Sequence, residues 1–414
     1  MQIKRDDYLN KLILKKHNKL IKVITGLRRC GKSYLLFTLF ARHLLELGVD
    51  NEHIIAIQLD RFDYKHLREP ANLLNHIKSL IKDEKMHYIM LDEVQFLKNF
   101  EEVLNTLLYF DNVDVYVTGS NSKFLSSDVI TEFRGRGDEL HLYPLSFKEF
   151  MQTKDDINTA WNEYIVWGGM PFVATLPTQE QKSAYLQNLF KEVYLKDLIE
   201  RNNISKTYEL ESLLDILASN IGALTNPSTI EKTFASKGIK ISNVTIKNYI
   251  DFLQDCFLIS SANRYDVKGR KYIGTPLKYY YEDIGLRNAR LNYRQIEPSH
   301  IQENIIYNEL KSRGYMVDVG VVEVRKMQDG KSINKSLEVD FVINKADKRI
   351  YIQSALSMPS EEKRAQEKQS LINIKDNFKK IIITKDSLPS FYDDDGVFTV
   401  NLFDFLLDDE CLKV

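Results

Sequence analysis

Short apolar runs and amphipathic stretches alternate through the first third of the chain. Residues 22–25 are β-rich and end at a glycine, while 33–47 repeat their apolar positions at helical spacing and stop at Gly48. Residues 54–59 read as a second buried strand and 73–81 as a helix. A third strand at 87–91, a helix at 100–109, a fourth strand at 113–117 and a fifth at 139–142 complete the series. Strands alternating with helices predict an α/β fold, a parallel sheet covered by helices on both faces.

Beyond Pro144 the rhythm changes. Residues 147–200 are mostly helical, interrupted by Gly168-Gly169-Met170-Pro171. Three helical stretches at 210–221, 228–236 and 243–255 then precede β-rich runs at 257–262 and 271–281, the order of a winged helix. From Pro298 the pattern is helix (301–312), strands (317–324, 337–343, 350–353), helix (361–374) and strand (380–384), a small α/β domain. The acidic run Asp393-Asp394-Asp395 reads as a solvated turn. The domain limits that follow are 1–150, 151–205 (a helical lid or linker), 206–296 and 297–414.

Composition narrows the class. The 414 residues are 43% hydrophobic and 28% charged, ordinary for a globular protein. Fifty-seven basic residues against 58 acidic ones give −1, so bulk charge does not make this a polyanion binder. Three scattered cysteines fit a reducing compartment, and neither they nor the eight histidines show metal-ligand spacing, so no structural zinc is expected. The start, Met1-Gln2-Ile3-Lys4-Arg5, lacks the apolar core of a secretory signal, and the apolar runs are strand-sized. These features predict a soluble cytoplasmic protein without a membrane partner.

Gly26-Leu27-Arg28-Arg29-Cys30-Gly31-Lys32-Ser33 matches G-x-x-x-x-G-K-[ST] between a β-run and a helix. Glycines let the backbone wrap a phosphate with its N–H groups turned inward, and the following helix adds its positive end. The cradle therefore runs from Gly26 to Tyr34, with Lys32 for the β- and γ-phosphates and the Ser33 hydroxyl for Mg²⁺. Tyr88-Ile89-Met90-Leu91-Asp92-Glu93 is an apolar strand with two carboxylates at its C-terminal end, where ligands of open α/β sheets bind. Asp92 is expected to hold Mg²⁺ and Glu93 to polarise the attacking water. The strand at 54–59, interposed along the chain, and the glutamate after the aspartate point to an ATPase that splits water.

The fourth strand ends at Thr118-Gly119-Ser120-Asn121-Ser122, where Asn121, or else Ser120, would sense the γ-phosphate; turn chemistry suits these residues equally. In Arg134-Gly135-Arg136-Gly137, Arg136 or Arg134 would serve as a finger toward a neighbour's γ-phosphate, which requires a homo-oligomer; a solvated loop arginine is the alternative.

These motifs, with Leu91-Asp92-Glu93-Val94-Gln95, Tyr143-Pro144-Leu145-Ser146-Phe147 and Gly168-Gly169-Met170-Pro171, occur in one order. That order resembles the prokaryotic AAA-type ATPases that carry a C-terminal domain of unknown function, relatives of archaeal ATPases and of signal-transducing STAND NTPases. The resemblance covers nearly the whole chain; the double arginine and the Tyr-Pro-Leu-Ser-Phe segment are its most specific marks. It implies an AAA-like core at 1–150, ATP and Mg²⁺, and no particular biological role.

The C-terminal half of such proteins resembles a winged helix followed by a PD-(D/E)xK nuclease-like fold. An active site of that fold needs carboxylates on adjacent strand ends for Mg²⁺ and a lysine to activate water. Asp340 fits the first acid, but Gln353 stands in place of the second and Ala355 in place of the lysine. Glu303, on the first helix, is expected to stand apart from Asp340. The resemblance thus implies a degenerate, non-cutting domain.

Residues 264–294 hold eight basic and three acidic residues, net +5, with six interleaved tyrosines. Arg264, Lys268, Arg270 and Lys271 are the residues assigned to nucleic acid, through phosphate neutralisation and stacking. The leading expectation is a Mg²⁺-dependent ATPase whose nucleotide state repositions the C-terminal domains. A slow nucleotide-gated switch or scaffold acting through protein partners, and a nucleic-acid-processing nuclease, are the alternatives.

Overall fold

Each apolar run of the first third becomes a parallel strand. The computed structural model describes residues 3–119, 135–328 and 331–412. The chain divides into two units, Met1–Pro144 with Asp255–Phe257, and Leu145–Gln254 with Leu258–Val414. In the first, β1 (Ile21–Thr25), β2 (Ile54–Gln58), β3 (His87–Asp92), β4 (Val113–Thr118) and β5 (Gly137–His141) form one sheet in the order β2-β3-β4-β1-β5. All pairings are parallel.

Burial follows position in this sheet. The inner strands β1, β3 and β4 are buried at every residue, whereas the edge strands β2 and β5 are partly exposed. Inner strands covered on both faces need unbroken apolar sequence, which is why they stand out in the chain. The helix after β1 runs from Lys32 to Glu46 and widens into a π-helical turn over Leu35–Phe40. Helices Pro70–Leu80 and Phe100–Leu107 cover the sheet, the first opened by proline, the second by Glu101 and Glu102 at its positive end. Val23, Ile57, Ile89, Leu91, Leu104 and Val115 belong to the core they close. An unanticipated helix, Asp6–Leu14, is too short for its pattern to stand out, with only Tyr8 and Leu12 buried.

The second unit begins with helices between Phe147 and Arg201, then Thr207–Ser219, Pro227–Ser236 and Asn243–Asp255. Ser146 and Glu149 form a reciprocal capping box at the first of them. The break at Gly168-Gly169 is tied down by Asp283, buried, which accepts from Gly169 N at 2.8 Å and from Leu286 N at 2.8 Å. Burial pushes the Asp283 carboxyl up to about 6.

The strands of this unit are β6 (Leu224–Thr225), β7 (Ile259–Asp266), β8 (Lys271–Tyr281), β9 (Met316–Gln328), β10 (Lys331–Lys345), β11 (Lys348–Ala355), β12 (Lys379–Thr384), β13 (Phe391–Tyr392) and β14 (Val397–Asn401). They form one nine-stranded sheet in the order β13-β14-β12-β11-β10-β9-β7-β8-β6. The β7–β8 hairpin joins the C-terminal strands through parallel pairing of β7 with β9, Arg264 opposite Val319. Such long-range pairing leaves no trace in local periodicity. The Asp393 and Asp395 carboxylates pair with Lys368 at 2.8 and 2.5 Å, so the acidic turn is anchored rather than merely solvated. Among the described residues no helix is long and apolar enough to cross a membrane.

One charged pair lies inside the first sheet. Lys22 of β1 is wholly buried against Asp114 of β4, whose other oxygen accepts from the Tyr116 hydroxyl at 2.7 Å and from His17 N at 3.1 Å. Burial pulls the Lys22 ammonium below its usual range, against the opposing pull of Asp114. Asp114→Ala strands that ammonium and is expected to cost about 3–5 kcal/mol in denaturant unfolding, whereas Lys22→Met with Asp114→Leu recovers most of it. Equal losses in the single and double variants would contradict this.

Candidate functional site

The loop after β1 is shaped by what cannot fit there. Gly26 has φ +135°, and a Cβ on it would lie 2.1 Å from the Leu142 carbonyl oxygen. Gly31, at φ +105°, starts the helix. The Lys32 side chain is buried and folds over the loop, donating to the carbonyls of Gly26 and Leu27, both at 2.9 Å. Leu27 and Cys30 are fully buried, and the Cys30 thiol donates to the Leu142 carbonyl at 3.2 Å. Arg28 and Arg29 are exposed, and Ser33 and Tyr34 half-buried.

Behind the loop stands Arg5, only 2% exposed. Its guanidinium donates to the carbonyls of Cys30 (3.0 Å), Tyr143 (2.9 Å) and Pro144 (3.3 Å). One side chain thus ties the loop to the segment after β5. Sequence reasoning missed it, because nothing local distinguishes Arg5 from a surface arginine.

The end of β3 meets the loop across β4. Asp92, 4% exposed, accepts from the Thr118 hydroxyl of β4 and is hydrogen-bonded to Ser33. The Thr118 oxygen in turn accepts Glu93 N at 3.1 Å. Glu93 adopts φ +50°, and its carboxylate accepts from the Gln95 amide. Ser33, Asp92, Glu93 and Thr118 are therefore one connected group at the C-terminal ends of β1, β3 and β4. Thr118 is its unanticipated member; the signal was a polar residue closing an apolar strand paired with the Asp92 strand.

Ser120, Asn121 and Arg134 lie outside the described residues. Arg136 precedes β5, its carbonyl accepting from Ile21 N at 2.8 Å at the start of β1. Its guanidinium carbon lies 5.9 Å from the Tyr109 ring centroid. That is the end of the sheet opposite the loop, roughly a strand length (~13 Å) away. Arg136 is not brought to the loop of its own chain.

In the second unit the expected separation of Glu303 from Asp340 does not hold. Both are buried around Lys278 of β8, whose ammonium lies 2.8 Å from Glu303, 2.7 Å from Glu338 and 4.0 Å from Asp340. The Tyr280 hydroxyl also donates to Glu303, at 2.7 Å. The expectation that no lysine remains beside these acids also fails, because one arrives from the hairpin, a strand remote in sequence. Burial and the Glu303 charge raise the Asp340 carboxyl above its usual range. Asp340 accepts from Ser354 N at 2.8 Å, and Gln353 bonds Ser370 at 3.3 Å. Ala355 is buried.

The basic segment is dispersed by folding. Lys278 is in the cluster, Arg287 is buried on the Ala218 carbonyl (2.8 Å), and Arg290 pairs with Asp215 (2.6 Å) and Glu211 (3.2 Å). Tyr265, Tyr279, Tyr280 and Tyr281 are buried, which removes them as stacking platforms. What remains together is the hairpin turn, with Lys268, Arg270, Lys271 and Tyr272 exposed and Arg264 half-buried. Lys268 donates to the Glu323 carbonyl.

Burial raises the Asp92 carboxyl above the ordinary carboxylate range, opposed by its bonds to Thr118 and Ser33. Folding therefore disfavours its charged form. The penalty is absent below the unfolded value of about 3.9 and grows as pH rises through the folded value. Asp92→Asn keeps the shape without the charge. In nucleotide-free buffer it should melt above the parent near about pH 7, with the gap closing toward about pH 4. A pH-independent gap would contradict the assignment.

Comparison with known proteins agrees with the fold of the first unit. A family described as "AAA domain" matches residues 18–151, and one described as "Domain of unknown function (DUF8612)" matches 158–297. A Haemophilus influenzae protein described as uncharacterized is 34% identical, with 98% of each chain covered. An uncharacterized Methanocaldococcus jannaschii protein is 28% identical over 78% of this chain and 72% of its own. The Walker-type ATPase of Pyrococcus abyssi shares the fold at a TM-score of 0.51 and 16% identity, covering 70% of this chain and 96% of that one. The chain belongs to the P-loop AAA-type ATPase family, with a domain of unknown function following the AAA domain.

Proposed function

We propose that this chain binds ATP with Mg²⁺ on residues 26–34 and hydrolyses it. The observation that carries the reading is the Ser33–Asp92–Thr118–Glu93 group facing a loop that already gathers Lys32. A hydroxyl beside a carboxylate is a hard-oxygen donor pair, which fits Mg²⁺. Bound there, Mg²⁺ would supply charge neutralisation at the β- and γ-phosphates. Lys32 exchanges its two loop carbonyls for phosphate oxygens. Ser33 and Asp92 would hold the cation, with Thr118 fixing Asp92, and Glu93 would orient and deprotonate the attacking water. Asn121 or Ser120 acts as sensor. Arg136 or Arg134 acts as a finger only in trans, so that role entails assembly of several copies. The nucleotide state repositions residues 145–414, read as a helical linker, a winged helix and a nuclease-like domain.

Lys32→Ala is expected to abolish tight ATP binding. Glu93→Gln should bind ATP like the parent and turn it over at least ~100-fold more slowly. Calorimetric titration and steady-state phosphate release measure the two. Parental turnover by Glu93→Gln would remove Glu93 as the base, and tight binding without turnover in the parent would favour a nucleotide-gated switch.

The C-terminal cluster supports a domain that does not cut. Its central position is taken by the Lys278 ammonium, a fixed positive charge among the acids that a divalent cation would need. With Gln353 and Ala355 replacing the second acid and the lysine, neither Mg²⁺ nor Mn²⁺ should produce cleavage of plasmid, linear duplex, single-stranded DNA or RNA. Nucleic acid, where bound, would contact Arg264, Lys268, Arg270 and Lys271. Affinity would fall steeply with salt, and Arg270→Glu with Lys271→Glu would weaken it. Metal-dependent cutting abolished by Asp340→Ala would reverse this reading.

A further inference from the structure

The histidines show no ligand spacing along the chain, yet the sheet brings two of them together. Parallel pairing of β2 with β3 sets Ile54 opposite Tyr88, so His53 and His87 are neighbours at the strand starts. Their ring centroids are 4.7 Å apart. Asp83, in the loop before β3, completes the group: one ligand atom from each of His53, Asp83 and His87 lies within 4.8 Å of the others. Both histidines are buried, at 7% and 1% exposure, and Asp83 is exposed.

The His87 ring is also held from behind, and a carboxylate stands near the far nitrogen of His53. His87 Nδ1 lies 2.8 Å from the Lys85 carbonyl, an acceptor only, so Nδ1 is the donor and Nε2 is the nitrogen left to serve as a ligand. His53 directs Nε2 toward both Asp83 oxygens at 3.1 Å, with Nδ1 3.7 Å from Asp50. Outer carbonyls and carboxylates that fix imidazole orientation are the usual setting of metal-bound histidines. The His53–Asp83 spacing of 3.1 Å suits adjacent corners of a tetrahedron with ~2.0–2.1 Å metal bonds, and the three ligand atoms, within 4.8 Å of one another, would draw together to about 3.4 Å around a cation. The nearby ammonium groups are engaged, Lys82 with Glu52 at 3.3 Å and Lys85 with Asp50 at 3.2 Å. The Lys85 N–H, at 2.9 Å, holds the Asp83 carboxyl below the usual range, with His53 reinforcing it. The ligand oxygen is therefore charged at neutral pH.

We propose that His53, Asp83 and His87 bind one Zn²⁺-class divalent cation, at the end of the sheet opposite the phosphate loop. Two imidazole nitrogens and one carboxylate suit Zn²⁺ over Mg²⁺ and leave a corner for water. The bound cation staples the start of β2 to the start of β3, the strand that carries Asp92 at its other end. The alternative occupant of this geometry is a plain His53–Asp83 ion pair.

The test is titration of chelator-stripped, full-length, nucleotide-free protein with Co²⁺. The parent should take up one equivalent with the intense visible bands of tetrahedral cobalt. Zn²⁺ should displace it and raise the melting temperature. His53→Gln and His87→Gln should lose the bands, and Asp83→Asn, at an exposed position, should weaken binding at least about tenfold. His66→Gln should leave uptake unchanged, and Asp92→Asn should leave the tetrahedral bands in place, the latter separating this site from the phosphate loop. Absence of tetrahedral bands in the parent, or unchanged uptake by Asp83→Asn, would establish the ion pair instead. If either histidine variant fails to fold, the parent spectrum and Asp83→Asn decide.

Discussion

The hydrogen bonds that join Asp92 to Ser33 and Thr118 depend on sheet order. Because β4 lies between β1 and β3, the loop after β1 and the carboxylate ending β3 are not strand neighbours. Asp92 reaches Ser33 across that interval, and Thr118 holds the end of β3 in place, donating to Asp92 and accepting from Glu93 N. The left-handed backbone at Glu93 turns the chain out of the strand where the second carboxylate stands. Arg5 performs the complementary task behind the loop by donating to the Cys30 and Tyr143 carbonyls. Such carbonyls cost about 1–3 kcal/mol each when left unpaired.

The second unit solves a different electrostatic problem. Three acids, Glu303, Glu338 and Asp340, approach one lysine. One positive charge cannot offset three negative ones in a buried site, and the upward shift of Asp340 relieves the imbalance by favouring its neutral form. Lys278 comes from β8 while Asp340 and Glu338 lie on β10, so the cluster exists only when the hairpin is in register with the C-terminal strands. Side-chain charge and strand pairing therefore specify one another, as buried polar groups do where they fix a register.

What the sequence made legible was whatever is local or periodic. Inner strands such as β3 and β4 were readable because burial on both faces forces largely apolar runs, broken in β4 only by Asp114 and the terminal Thr118. The loop was readable because glycine at Gly26 and Gly31 answers a steric demand at fixed spacing. What escaped was set by partners distant in sequence. Arg5 looks like any terminal arginine until Tyr143 and Pro144 are beside it. Lys278 and four tyrosines looked like part of a nucleic-acid patch because composition cannot tell an ammonium facing water from one enclosed by carboxylates. Helix Leu402–Leu407 and the short β13 and β14 carried too few residues to declare a period.

A parallel sheet has two chemically distinct ends, and this one keeps them apart. The carboxyl ends of β1, β3 and β4 gather the loop, Asp92, Glu93 and Thr118, the place where such folds present ligands to helix N-termini. The amino ends carry Arg136 and the His53–Asp83–His87 group, built on strand starts rather than on the loop. Arg136 follows from this polarity. An arginine fixed at the amino end by its carbonyl bond to Ile21 cannot cross the sheet to the phosphate loop of the same chain without unzipping β5 from β1. The proposed finger role therefore requires a second copy that presents its phosphate loop at that end.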